Sequence, residues 1–179
     1  MSDVQSRIND FVLKIATVNG TGSASANGLL MKALFRMGIP VTGKNLFPSN
    51  IQGLPTWYEI RASEKGYMSR CASVDVMVAM NIQTYQKDLA EVAPGGFLVY
   101  DSTWPREKDL NRHDITVFGV PLSKMCNENF SVARVRILMK NVMYVGVLAA
   151  LLDMDLEVIK KLLQETFAAK PKLIDANLK

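Results

Sequence analysis

The sequence predicts an α/β protein, a Rossmann-like three-layer sandwich with a mixed sheet and a C-terminal pair of helices. Three observations predict it. An apolar, β-branched run ends at a glycine loop that opens a helical pattern. Further short apolar runs then alternate with helical or polar stretches. Beyond residue 130 only helical periodicity remains. A chain of 179 residues suits one domain, here 1–170, whose helical extension covers about 131–168. Residues 171–179 read as a linker toward a following domain.

Each element has a local reason. Phe11 to Val18 is apolar and ends at Asn19-Gly20, which marks a buried first strand. Ser23 to Met37 carries Leu29, Leu30, Ala33, Leu34 and Met37 on one helical face, and Gly38 and Pro40 stop it. Ile39 to Val41 is a second, short strand. Asn45 to Pro55 is broken by Pro48, Gly53 and Pro55. Thr56 to Ala62 alternates as an antiparallel or edge strand, and Val74 to Met80 is a buried strand. A helix follows over 83–92, ended by Pro94-Gly95-Gly96, then a strand over 97–100. Asp101 to Asp114 is a polar loop and 115–118 a short strand. Ala133 to Leu152 is helical, and Asp155 caps a last helix with Leu156, Ile159, Leu162, Leu163 and Phe167 at helical spacing.

Composition excludes several functions. Of 179 residues, 49% are hydrophobic and 21% charged, so the chain is not disordered. The net charge of +4 comes from scattered bases, not from the dense stripe of a nucleic-acid binder. The longest apolar run, Val142 to Leu152, is too short to cross a bilayer. One histidine, His113, excludes a two-histidine site, and Cys71 and Cys126 are too few to ligate a cluster. Few cysteines and no export signal make the cytoplasm the expected compartment.

The loop Gly20-Thr21-Gly22-Ser23 stands between strand and helix. Glycines there let the backbone approach a phosphate, and the helix N-terminus offers amides and a positive dipole end. The third fingerprint position is Ser25 rather than glycine, and no acidic residue follows the second strand, which argues against NAD. Two readings stay open: a phosphate site to which Thr21 and Ser23 add hydroxyls, or a tight turn without a ligand.

Other residues have weaker claims. His113 is a lone loop histidine. Trp57 and Tyr58 are either interface anchors or ordinary packing. Trp104 belongs to a surface loop, and nothing fixes the separation of Asp75 from Asp101. The segment from Phe47 to Trp57 must lie at the surface for want of regular hydrogen bonds, yet it carries Phe47, Ile51, Leu54 and Trp57. It therefore reads as covering either its own sheet or a partner, with partner contact the preferred reading.

Val18 to Met31 resembles the opening of the gamma domain of 2-oxoacid:ferredoxin oxidoreductases. Phe47-Pro-Ser-Asn-Ile-Gln-Gly53, with Trp57 to Arg61 after it, resembles the next signature of that family, Pro-Ser-x-Ile-Arg-Gly-Gly and a strand ending in Arg. Phe118 to Leu122, Lys140 to Leu148, Phe167 and Asn177 follow in the family's order. The chain is most similar to the N-terminal part of the alpha subunit of the 2-oxoglutarate enzymes. Two departures stand out: the double glycine is Gly22-Ser23, and the signature arginine is Gln52.

The resemblance implies a part in the oxidative decarboxylation of a 2-oxoacid, giving acyl-CoA, carbon dioxide and reduced ferredoxin. It implies no catalytic residue here, and it leaves thiamine diphosphate, magnesium and a [4Fe–4S] cluster to partner subunits or domains. This chain would shape the cleft and the subunit interface and contact coenzyme A. The expected cofactor-binding residues are Gly20, Thr21, Gly22, Ser23, Asn50, Gln52 and Arg61. The other reading is a free-standing Rossmann-like nucleotide-binding or interaction module without catalysis.

Overall fold

The computed structural model describes residues 9–48, 51–69, 71–104 and 111–166. Six strands and five helices follow in the order β1 (Asp10–Val18), α1 (Ser23–Arg36), β2 (Val41–Leu46), β3 (Pro55–Ser63), β4 (Val74–Ala79), α2 (Tyr85–Glu91), β5 (Val92–Asp101), β6 (Thr116–Val120), α3 (Leu122–Asn129), α4 (Ala133–Leu151) and α5 (Leu156–Thr166). The expected linker 171–179 lies outside the described residues.

The sheet order is β2-β3-β1-β4-β5-β6. β3 runs antiparallel to both of its neighbours, whereas β1, β4, β5 and β6 pair in parallel. The expected mixed three-layer sandwich is what forms. β1 is buried along most of its length because it has a partner on each side and cover on both faces. Leu13 and Ile15 join Leu30, Leu34, Tyr144, Leu148 and Leu163 in the larger core, under α1, α4 and α5. Val12, Met77 and Leu98 face the other way and join Tyr85 and Leu89 under α2. On that face Lys14 is ion-paired with Glu91 of α2.

Three expectations need correction, and one helix had no expectation. The second strand is Val41–Leu46, not 39–41, because β3 pairs with Gly43, Lys44 and Asn45 through the backbone, whatever their poor strand propensity. β3 is not at the edge, since β2 covers it. β5 begins at Val92 and runs through the Pro94-Gly95-Gly96 stop, with a register shift opposite Val74 and Val76. Gly96 allows this close approach: a Cβ there would stand 2.8 Å from Asp75 O. Finally, α3 occupies a stretch without strong helical periodicity, where only Leu122 and Cys126 are buried. Its cap comes from β5, because Asp101 accepts the Ser123 backbone N–H and the Ser123 hydroxyl. Asp155 caps α5 as expected, accepting the Glu157 N–H at 2.9 Å.

Candidate functional site

β1 ends at Val18, and four residues carry the chain into α1. Thr21 Oγ1 donates 2.7 Å to Val18 O, which closes the turn. Gly20 and Gly22 have φ of +87° and +81°, values that favour glycine. Gly22 is the N-cap of α1, so no side chain caps the helix, and its first turn holds no acidic residue. Open amides and the positive helix end therefore face the sheet's carboxyl edge. That edge lies beside β1 at the point where the strand order reverses, the place where open α/β sheets take ligands.

A cleft of about 250 Å³ opens there. Thr17 and Asn19 come from β1 and its end, Gly20 and Gly22 from the loop, Ser23 and Asn27 from α1, Asn45 from β2, and Thr56 and Trp57 from β3. The β2–β3 loop is tied to the glycine loop by backbone bonds. Asn19 N donates to Leu54 O at 2.8 Å and Gly53 N to Asn19 O at 3.0 Å. Gln52 lies over Gly20, so that a Cβ on Gly20 would stand 2.6 Å from its Cγ. From the other side, α4 holds the loop. Asn141 Nδ2 donates to Thr21 O at 2.8 Å, and Leu138 packs against Gly22. The Tyr144 hydroxyl donates to Asn27 Oδ1 at 2.8 Å, and burial pushes its pKa above the usual tyrosine range. Asn27 is only 2% exposed.

The expected site residues divide accordingly. Gly20, Gly22 and Ser23 line the cleft, Gln52 lies over Gly20, and Thr21 stands between the two glycines without lining it. Of the two hydroxyls expected to meet a phosphate, Thr21 donates inward to Val18 O, whereas Ser23 Oγ accepts from Thr17 Oγ1 at 2.9 Å and keeps its own O–H to donate. Asn50 lies outside the described residues. Arg61 is not brought to the loop. It stands opposite Val12 near the start of β1, ion-paired with Asp10 and donating to Phe11 O, about 16 Å down the strands from the Thr17–Thr56 pair. Sequence reasoning missed Asn27, Asn45 and Asn141. Their amides come from a helix interior, an edge strand and a distant helix.

The remaining candidates lie elsewhere. Trp57 is packing rather than an exposed anchor, since its indole N–H donates to buried Asp88. His113 and Cys71 are exposed, and Cys126 is buried with Sγ 3.3 Å from Met143 Sδ. Asp75 accepts the Val12 N–H, and Asp101 caps α3. Among the described residues no group of three or more His, Cys, Asp or Glu could hold a metal ion, and no helix is long and apolar enough to cross a membrane.

The class defined by this fold and cleft is an α/β domain with a cleft at the carboxyl edge of a mixed sheet. Residues 12–179 match the pyruvate ferredoxin/flavodoxin oxidoreductase family, and the chain belongs to it. It is 30% identical over 121 residues to the alpha subunit of a 2-oxoacid:ferredoxin oxidoreductase of Aeropyrum pernix. That alignment covers 68% of this chain and 18% of the relative. It also matches the 2-oxoglutarate:ferredoxin oxidoreductase of Magnetococcus marinus, solved with 2-oxoglutarate, coenzyme A and succinyl-CoA bound, at a TM-score of 0.84 and 26% identity. That likeness covers 95% of this chain and 29% of the neighbour. A pyruvate oxidoreductase subunit of Thermotoga maritima shares the fold at a TM-score of 0.76 and 18% identity, over 94% of this chain and 91% of its own. The chain thus spans less than a third of the first two proteins.

Proposed function

We propose that this chain is the accessory α/β unit of a 2-oxoacid:ferredoxin oxidoreductase of the 2-oxoglutarate type. In the assembled enzyme a 2-oxoacid is oxidatively decarboxylated with coenzyme A, and ferredoxin takes the electrons. The observation that carries this reading is the family match over residues 12–179, together with a built cleft at the carboxyl edge. The 2-oxoglutarate assignment leans on the Magnetococcus marinus neighbour. Cys71 is exposed and Cys126 is buried against Met143, so neither fits a cluster. Thiamine diphosphate, magnesium and the [4Fe–4S] cluster belong to partner subunits or domains.

What supports coenzyme A at the cleft is the N-terminus of α1, which opens at Gly22 without a side-chain cap. Phe47, Ile51, Leu54, Ile82 and Trp104 are exposed on loops along the same edge. A ligand held at this edge must reach reacting groups on the thiamine-bearing partner, so these apolar side chains form the surface on which that partner sits. The test is to purify the complex assembled with this chain and follow ferredoxin reduction. Reduction that needs coenzyme A and is faster with 2-oxoglutarate than with pyruvate supports the reading. Equal rates with and without coenzyme A would sink it.

A further inference from the structure

Gly146 stands inside α4, where glycine weakens a helix relative to alanine. Nothing within the chain calls for it. Its backbone is not left-handed, and among the described residues a Cβ there would meet nothing within 4 Å. The missing side chain keeps open a groove of about 490 Å³. α4 and α5 form its sides, and α1, packed against both, contributes buried Ala26 and Leu29. Val135, Leu138, Val142 and Gly146 line it three or four residues apart, a row about 16 Å long, or roughly three helical turns. These three helices carry the chain's positive surplus. They hold seven Lys and Arg against Glu157 and Glu165, whereas the rest of the chain holds fourteen bases and fifteen acids.

We infer that the groove takes an acidic amphipathic helix of the thiamine-bearing partner, laid along α4 with its apolar side chains over Gly146. This rests on the oxidoreductase reading above, in which that partner sits on the carboxyl edge. Gly22 lines both the cleft and the groove, so the groove opens onto that edge and continues the same surface. An apolar row walled by helices takes the anchoring side chains of an amphipathic helix, and the surplus of bases around it draws a helix with acidic flanks. Leu138 and Leu156 are exposed on its walls and wait for such cover. A second copy fits poorly. Across a two-fold axis it would bring an identical hollow, and two hollows do not fill each other.

Two substitutions in the full chain test this, Gly146→Leu inside the groove and Lys160→Glu on its exposed rim. Each is read by thermal melting of the chain and by its affinity for the thiamine-bearing partner, measured by surface plasmon resonance. The Gly146→Leu chain is expected to melt about 2–4 °C higher, because a good helix former replaces glycine in open space. Its affinity for the partner should nevertheless fall by at least about tenfold, since the new side chain occupies the groove. Lys160→Glu should weaken the same association by about threefold at low salt and by less at high salt. Unchanged affinity in either variant overturns the inference and leaves the oxidoreductase reading standing. So does a lower melting temperature for Gly146→Leu, which would put the chain's own residues in the groove. A dimer of the native chain that Gly146→Leu dissolves also overturns it, by putting a second copy there. Failure of the native chain to join the partner overturns both.

Discussion

Trp57 Nε1 donates a 2.8 Å hydrogen bond to Asp88 Oδ1, tying β3 to α2. Thr84 supplies the other carboxyl oxygen with a 2.6 Å bond. Removing the indole donor leaves a buried carboxyl one partner short. Trp57→Phe is therefore expected to lower the stability of the chain by about 2 kcal/mol, read by urea denaturation. A change below about 0.5 kcal/mol would return Trp57 to the surface role.

The same carboxyl makes stability depend on pH. Burial raises the Asp88 pKa, although the bonds from Thr84 and Trp57 pull the other way. A group raised on folding stabilises below its unfolded value, and that contribution is lost as pH rises through its folded value. Asp88→Asn keeps an acceptor for the indole and removes the charge. The variant is expected to gain on the native chain between pH 4 and pH 7, measured as the difference in unfolding free energy at each pH. A constant difference would disprove the linkage.

Gly20 and Gln52 should behave as a coupled pair. Gly20→Ala forces a side chain into the left-handed region and against Gln52 Cγ, at a cost of about 1–2 kcal/mol or more. Gln52→Ala removes the obstruction but not the backbone strain. In a double-mutant cycle the second change should recover at least about 0.5 kcal/mol of the first. Strict additivity would mean that Gln52 simply moves aside.

Asp101 shows the opposite pH response. Burial works upward on its carboxyl, but the bonds from Ser123 and Thr103 outweigh it and hold the pKa below the usual carboxylate range. Its contribution is present above the unfolded value and lost as pH falls through the folded one. Asp101→Asn should cost about 1 kcal/mol at pH 7, as for a lost helix cap, and progressively less in acid. The check is a pair of denaturation series at pH 7 and pH 3.

Phe47 tests the proposed docking surface. It is 49% exposed, so Phe47→Ser should change the stability of the chain by no more than about 0.5 kcal/mol. The variant should nevertheless be lost from the complex during size-exclusion chromatography. Full retention would place the partner elsewhere.

Elements whose burial is written in their own residues were legible: β1, α1, β4 and α5 show their faces in the sequence. β2 and α3 were not, since one depends on the backbone of β3 and the other on Asp101, some twenty residues earlier. The glycine loop was legible for the same local reason. The inward bond of the Thr21 hydroxyl was not legible, nor was the place of Arg61, because position along a strand does not say which end of the sheet a residue serves. The cleft's amides converge only through tertiary contact.

The antiparallel β3 between β2 and β1 has a consequence for how the chain assembles. β2 and β3 are close in sequence and pair as a local hairpin. β1 finds its partners only about forty to sixty residues downstream. Closing such long loops is slow, and the entropy is spent before the pairing rewards it. A chain emerging from the ribosome therefore holds an unpaired first strand until β3 has been made, and that strand keeps one open edge until β4 follows. The cleft, which needs β1 beside β3 and α4 against Thr21, is among the last features to exist.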